Sequence, residues 1–232
     1  MRRLEVIYMN GSKIKAICFD YYGTLVDVGQ PFFRIKEWFA QVLEKEKKAV
    51  VAETFYLRFS KQRAKYLTGT EFMSGYSILE KSYTEVCKKF NVPAYLAEFC
   101  LLVEDLFSNP KAFGYALETL SLLNENYRVA LITNADEGML YKNIEKQGFH
   151  FDFVIASEEV RCNKPDHEIF KIALKKLCLQ PNNVAMIGDS MIEDMLPARE
   201  LGFQTIWINR NSEEISKKDI TIHSLKELLQ YV

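Results

Sequence analysis

The sequence predicts an α/β fold, a doubly wound parallel sheet carrying an inserted helical bundle, and three observations lead to it. Short apolar runs recur at 14–19, 129–132, 153–156, 184–187 and 205–208. Amphipathic stretches at helical spacing lie between the later runs, at 112–124, 139–147, 168–177 and 194–201. From 28 to 109 this alternation stops, and no convincing strand is found there.

The first run, Ile14-Lys15-Ala16-Ile17-Cys18-Phe19, ends abruptly in Asp20 and is followed by Gly23 and Thr24, the pattern of a buried strand entering a turn. The later runs are likewise apolar on both faces and rich in branched residues. Strands of that kind, separated by helices, belong to a parallel sheet covered on both sides. The interruption carries helical stretches at 31–47, 51–67, 77–90 and 94–107, with breaks near Gly69, Gly75 and Pro93. The expected domains are therefore a core of 11–27 with 110–232 and a helical insert of 28–109. Gly29-Gln30-Pro31 and Ser108-Asn109-Pro110 would be natural hinges between them. Residues up to Asn10 fit no element, and the charged stretch from Lys45 to Lys48 is expected to be a solvated helix end.

At 232 residues the chain is long enough for a large core plus a smaller module. Its 30 basic and 31 acidic side chains leave a net charge of −1, which provides no global field to attract nucleic acid or an anionic membrane. No apolar run approaches the ~20 residues a membrane span needs, and the N-terminus lacks a secretory signal. Five cysteines, an odd number without metal-finger or CxxC spacing, suggest reduced thiols and a soluble cytoplasmic protein.

In a doubly wound sheet the binding crevice lies at the carboxyl ends of the strands. Those ends hold Asp20, then Thr133-Asn134, Lys164-Pro165 and Gly188-Asp189-Ser190, with Asp194 shortly after. One such Asp would be an ordinary cap. Four polar loops that should converge point instead to a site. Asp20, Asp189 and Asp194 would set three carboxylates against Lys164, a crowd that either takes up protons or binds a cation. An all-oxygen donor set suits magnesium.

Asp20-Tyr21-Tyr22-Gly23-Thr24-Leu25, Thr133, Lys164-Pro165 and Gly188-Asp189-Ser190 through Asp194 resemble, in order, the four motifs of the haloacid dehalogenase superfamily. The resemblance covers residues 14 to 210. It implies a Rossmann-like hydrolase core with the family's first type of helical cap, acting on a small-molecule substrate. It further implies Asp20 as nucleophile, forming an aspartyl-phosphate or aspartyl ester that water hydrolyses. Thr133 and Asn134 would hold the substrate's oxygens, and Lys164 would neutralise charge there and orient Asp20. The implied metal positions are Asp20, Tyr22, Asp189 and Asp194, with Glu193 a solvated neighbour of Asp194.

Tyr22 departs from the phosphatase pattern, which usually has an aspartate two residues after the nucleophile as general acid and base. Such catalysis is worth about 10²–10⁴-fold, and a phenol with a pKa near ~10 is a poor base at neutral pH. Asp-x-Tyr-Gly-Thr-Leu is similar to the metal-free 2-haloacid dehalogenases of the superfamily. Phe170 and Gly188-Asp189 depart from that subgroup, where a tyrosine and a neutral Ser-Asn type motif are usual. Magnesium-dependent hydrolysis of a phosphate ester ranks first, metal-independent dehalogenation second, and a weakly active binding module third. His167 is a rim candidate for the missing base, while His150 and His223 lack partner spacing. Arg58, Lys61, Arg63 and Lys65 are candidate anion contacts. Tyr66, Thr68, Gly69, Thr70 and Phe72 mark a candidate loop facing the site.

Overall fold

The computed structural model describes residues 8–9, 12–69, 71–210 and 220–230. The expected Thr70 contribution lies outside them. The chain divides into two compact units, Met1–Asp27 with Lys111–Val232, and Val28–Pro110.

In the first unit the strands are β1 (Tyr8–Met9), β2 (Ser12–Lys13), β3 (Ala16–Phe19), β4 (Val26–Asp27), β5 (Lys111–Ala112), β6 (Arg128–Thr133), β7 (Phe153–Ala156), β8 (Val184–Gly188), β9 (Gln204–Ile208) and β10 (Ile220–Ile222). In the second unit the helices are α1 (Pro31–Lys45), α2 (Ala52–Leu67), α3 (Gly75–Phe90) and α4 (Leu96–Ser108). The first unit adds α5 (Ala116–Asn124), α6 (Glu137–Gln147), α7 (Ser157–Val160), α8 (His167–Leu177), α9 (Leu196–Glu200) and α10 (Leu225–Leu228).

Six strands form one parallel sheet in the order β10-β9-β8-β3-β6-β7. The doubly wound α/β fold is thus present, with β3 at its centre. The chain leaves β3 toward β6 on one side and β8 on the other, so Asp20 stands at the topological switch point, where such sheets bind ligands. The side chains of each central strand alternate between two cores. Ile17, Phe19, Val129, Leu131 and Ile187 face a layer with Leu120 of α5, Leu140 of α6 and Leu228 of α10. Ala16, Cys18, Ala130, Ile132 and Met186 face the opposite layer, with Ile169, Phe170 and Leu177 of α8. Burial on both faces explains why these strands lack polar alternation. No helix among the described residues is long and apolar enough to cross a membrane.

Four local expectations are corrected. Ala112 belongs to β5, which pairs antiparallel with β4, and α5 begins only at Ala116 because Tyr115 takes a left-handed φ of 67°. The expected helix 194–201 is a π-helical turn, Met191–Met195, followed by α9. Pro197 lacks the N–H that would bond the Glu193 carbonyl, and the backbone widens before it, with Met195 N–H bonded to Ser190 O at 3.2 Å. Tyr8–Met9 pairs with Ser12–Lys13, although no element was expected before Asn10. The three-residue β10 adds a sixth strand too short to register as an apolar run.

The second unit is a four-helix assembly around an aromatic core. Phe39 stacks on Tyr83 at 5.7 Å between ring centroids, and Tyr83 on Phe99 at 4.5 Å. Trp38 packs against Phe99 at 5.4 Å. Phe99→Ala is expected to cost this unit about 3–5 kcal/mol, because a fully buried ring would leave a cavity that its aromatic neighbours cannot fill. Urea unfolding followed through Trp38 fluorescence measures it, and an unchanged midpoint would contradict this packing.

Candidate active site

The site is built from the carboxyl ends of β3, β6 and β8 and from the loop between α7 and α8, which carries Lys164. Asp20 follows β3, and its backbone N–H bonds to Ile187 O of β8 at 2.9 Å, fixing where the carboxylate begins. Beyond it the chain turns sharply through Gly23, whose φ is 85°. A Cβ there would lie 2.3 Å from Asp189 Oδ2, and with this φ only glycine lets the loop pass so close to the Asp189 carboxylate. Thr24 Oγ1 donates to Asp189 Oδ1 at 3.2 Å, and Trp207 Nε1 donates to Asp189 O at 2.9 Å. Gly188 has the same function on the other side, since its Cβ would meet Asp194 Oδ2 at 2.4 Å.

The π-helical turn returns Asp194 to the strand end. Ser190 Oγ caps it by accepting from Glu193 N at 3.0 Å, and Ser190 N donates to Asp194 Oδ2 at 3.1 Å. Lys164 lies between two carboxylates, its Nζ 2.6 Å from Asp20 Oδ1 and 2.6 Å from Asp194 Oδ1. One oxygen each from Asp20, Asp189 and Asp194 lies within 4.8 Å of the others.

Electrostatics follow from this crowding. Burial alone would lower the Lys164 pKa, but Asp194 and Asp20 outweigh it and raise it, so the ammonium stays charged although only 2 % exposed. Burial pushes the Asp194 carboxyl well above its usual range, opposed by Lys164 and reinforced by Asp20 and Asp189. Asp189 is the exposed member of the three, at the mouth of the cluster, with Gly23 and the Thr24 hydroxyl packed against one side of its carboxylate. Loss of hydration and then the Asp20 charge push it up to about 7, with Lys164 and the Thr24 hydroxyl pulling the other way. An all-oxygen set of carboxylates that resist joint ionisation fits a hard divalent cation.

The other expected site residues have specific surroundings. Thr133 ends β6 and is buried. The side chain of Asn134 is occupied within the protein: Nδ2 donates to Lys164 O at 2.9 Å and to Glu193 Oε2 at 3.0 Å, and Oδ1 accepts from Lys164 N at 2.7 Å. Glu193, expected to be solvated, is therefore half-buried and bonded. The Tyr22 hydroxyl pairs with the buried Asn143 of α6. Its pKa is pushed up to about 12, first by burial, which Asn143 opposes and Asp136 and Asp20 reinforce. His167 pairs with Glu200 at 2.9 Å on an exposed surface, and His223 Nδ1 lies 2.7 Å from Asn209 O. Phe170 is core, edge-on to Phe203 at 5.9 Å. In the helical unit Arg63 covers the Phe32 ring at 4.9 Å and Lys65 lies 5.8 Å from the Tyr66 ring.

Sequence reasoning missed Asn143 and Arg210. Asn143 carried no signal, being one polar residue inside an amphipathic helix. Arg210 did carry one, because it lies just past a strand end on the edge where the other site residues gather.

A family model described as haloacid dehalogenase-like hydrolase matches residues 14–202. A glyceraldehyde 3-phosphate phosphatase of Methanocaldococcus jannaschii is 32% identical over 129 residues, 53% of this chain and 57% of that protein. An (S)-2-haloacid dehalogenase of Burkholderia cepacia is 25% identical over 226 residues, 93% of each chain. The fold is shared with a solved L-2-haloacid dehalogenase at a TM-score of 0.72 and 21% identity, over 94% of this chain and 98% of that one. The chain spans little more than half the length of the first curated phosphatase relatives it matches. With a single family model covering most of its length, the chain belongs to the haloacid dehalogenase-like hydrolases and is an enzyme of that family.

Proposed function

We propose that this hydrolase cleaves small phosphate esters with magnesium bound by Asp20, Asp189 and Asp194, and that Asp20 is its nucleophile. The observation that carries this reading is the convergence of three carboxylates, with Lys164 paired to two of them. A site built for an anionic haloacid alone gains nothing from two further carboxylates, whose charge would oppose approach of the substrate. When bound, the cation would offset this charge and bind a phosphoryl oxygen.

Asp20 attacks phosphorus, the bond from phosphorus to the ester oxygen breaks, and the alcohol leaves with a proton taken from solvent; water then attacks the aspartyl-phosphate, releasing inorganic phosphate and restoring the Asp20 carboxylate. Lys164, held between Asp20 and Asp194, orients the nucleophile and balances charge on the phosphoryl group, which the Thr133 hydroxyl also binds. We assign Asn134 to holding the Lys164 loop rather than to substrate, since its amide is engaged at both ends. Tyr22 contributes at most its backbone carbonyl to the metal. Its hydroxyl is a poor base at neutral pH, so turnover is slow. We read Val28–Pro110 as the family's cap, and the five unpaired cysteines support a reducing compartment such as the cytoplasm.

Dehalogenation is the second reading, favoured by Tyr22 and by a dehalogenase relative matched over nearly its full length. Purified protein assayed with an aryl phosphate and with 2-chloropropionate, each with magnesium or chelator, separates the two. Magnesium-dependent phosphate release is expected. Halide release indifferent to chelator would replace this reading with the second.

Magnesium binding should also depend on pH in a defined direction. A carboxyl with a pKa raised to about 7 is protonated below that value, so the cation must displace a proton. Affinity is expected to fall up to about tenfold per pH unit below 7 and to level off above it. Calorimetry in buffers of different ionisation enthalpy measures the released proton, and affinity flat from pH 5 to 8 would contradict it.

A further inference from the structure

The loop after the nucleophile bonds most of its own backbone. Gly23 N–H reaches Val26 O at 2.9 Å, Leu25 and Val26 N–H reach Tyr21 O at 2.9 and 3.1 Å, and Leu25 O accepts from Phe113 N at 3.0 Å. The carbonyls of Gly23 and Thr24 are instead bonded by one side chain, that of Arg210. Its Nη1 donates to Gly23 O and its Nη2 to Thr24 O, the latter at 2.8 Å. The guanidinium lies 3.7 Å from the Phe113 ring centroid. Burial lowers its pKa, opposed by the charges of Asp189 and Asp27, which favour the cation. Its backbone is anchored next door, where Asn209 N bonds Ile222 O at 2.8 Å and Asn209 O meets His223 Nδ1 at 2.7 Å.

We propose that Arg210 is a positioning residue for the active site, clamping Gly23 and Thr24 so that the nucleophile loop stays pressed against Asp189. The two residues it holds are the ones that meet Asp189. Gly23 passes so close that a methyl group would not fit, and the Thr24 hydroxyl donates to the Asp189 carboxylate. A planar fork fixed by a ring on one face meets two adjacent carbonyls with two separate nitrogens, and a lysine ammonium has neither that spacing nor a face to stack on Phe113. The proposal rests on Asp20 and Asp189 forming the working centre, whichever substrate they serve.

Arg210→Ala and Arg210→Lys in the full chain test it by magnesium calorimetry and by hydrogen exchange of the amides at 21–26. In both variants the magnesium Kd is expected to rise at least about tenfold and the loop amides to exchange faster, with other segments of the same unit unchanged. Millimolar methylguanidinium is expected to restore both in Arg210→Ala, a rescue that general destabilisation would not show. Wild-type magnesium affinity in both variants would overturn the proposal, even with faster loop exchange, because the arginine would then be only a clip. Failure of the wild-type protein itself to bind magnesium would instead sink the metal reading. Loop exchange and its reversal by methylguanidinium would then decide Arg210 alone, with unchanged exchange overturning it.

Discussion

Asp20→Asn is expected to reduce phosphate release by at least about 10³-fold while leaving the protein folded. The replacement keeps the shape of the side chain but substitutes a neutral amide, a weak nucleophile, for the carboxylate. Folding should survive because one negative charge leaves a cluster that already repels itself; the Asp20 charge is among the forces pushing Asp189 up to about 7. Lys164 loses one of its two ion pairs but keeps Asp194 at 2.6 Å. Steady-state release from an aryl phosphate gives the rate, and intact-mass spectrometry of acid-quenched enzyme should find a phosphoryl adduct on the wild type only. Turnover within about tenfold of wild type would mean that water attacks directly or that another group is the nucleophile.

Lys164→Met is expected to destabilise the first unit by about 3–5 kcal/mol at neutral pH, as well as removing activity, because it strands buried Asp194 without its cation. The pH dependence distinguishes this cause from a packing defect. The lysine's own pKa is raised in the fold, so its stabilising contribution is complete across the neutral range and is lost only in strong alkali. Burial already raises the folded Asp194 pKa well above the usual carboxylate range against the pull of Lys164, and loss of that cation raises it further. The cost of this carboxyl is absent in acid, below the unfolded value, and grows as pH rises toward the folded one. Urea midpoints of wild type and variant should therefore converge at pH 5 relative to pH 8. An equal gap at both pH values would assign the loss to packing.

The sequence carried its information in period and order. A continuous apolar run such as Val184 to Ile187 can only lie between two covered faces, and side chains from these runs divide between the two buried cores. The order of strand ends was also enough to list Asp20, Thr133, Lys164, Asp189 and Asp194, because in a parallel sheet every strand delivers its following loop to one edge. Tyr22 was conspicuous as a departure from a pattern, but the engagement of its hydroxyl with Asn143 was hidden. That partner is brought alongside by the packing of α6, which local periodicity does not encode.

The sequence by itself determined the fold class, the family and the identity of the polar groups at the strand ends, since these depend on short-range pattern and chain order. Tertiary structure alone decided which atoms meet: Lys164 between Asp20 and Asp194, Asn134 turned to the Lys164 backbone, and Arg210 across the carbonyls of Gly23 and Thr24. Each of these contacts joins residues from 30 to 187 positions apart. Their geometry is fixed by strand register and by the close approach allowed at Gly23 and Gly188, and in a crowd of charges differences of an ångström decide which carboxyl keeps its proton.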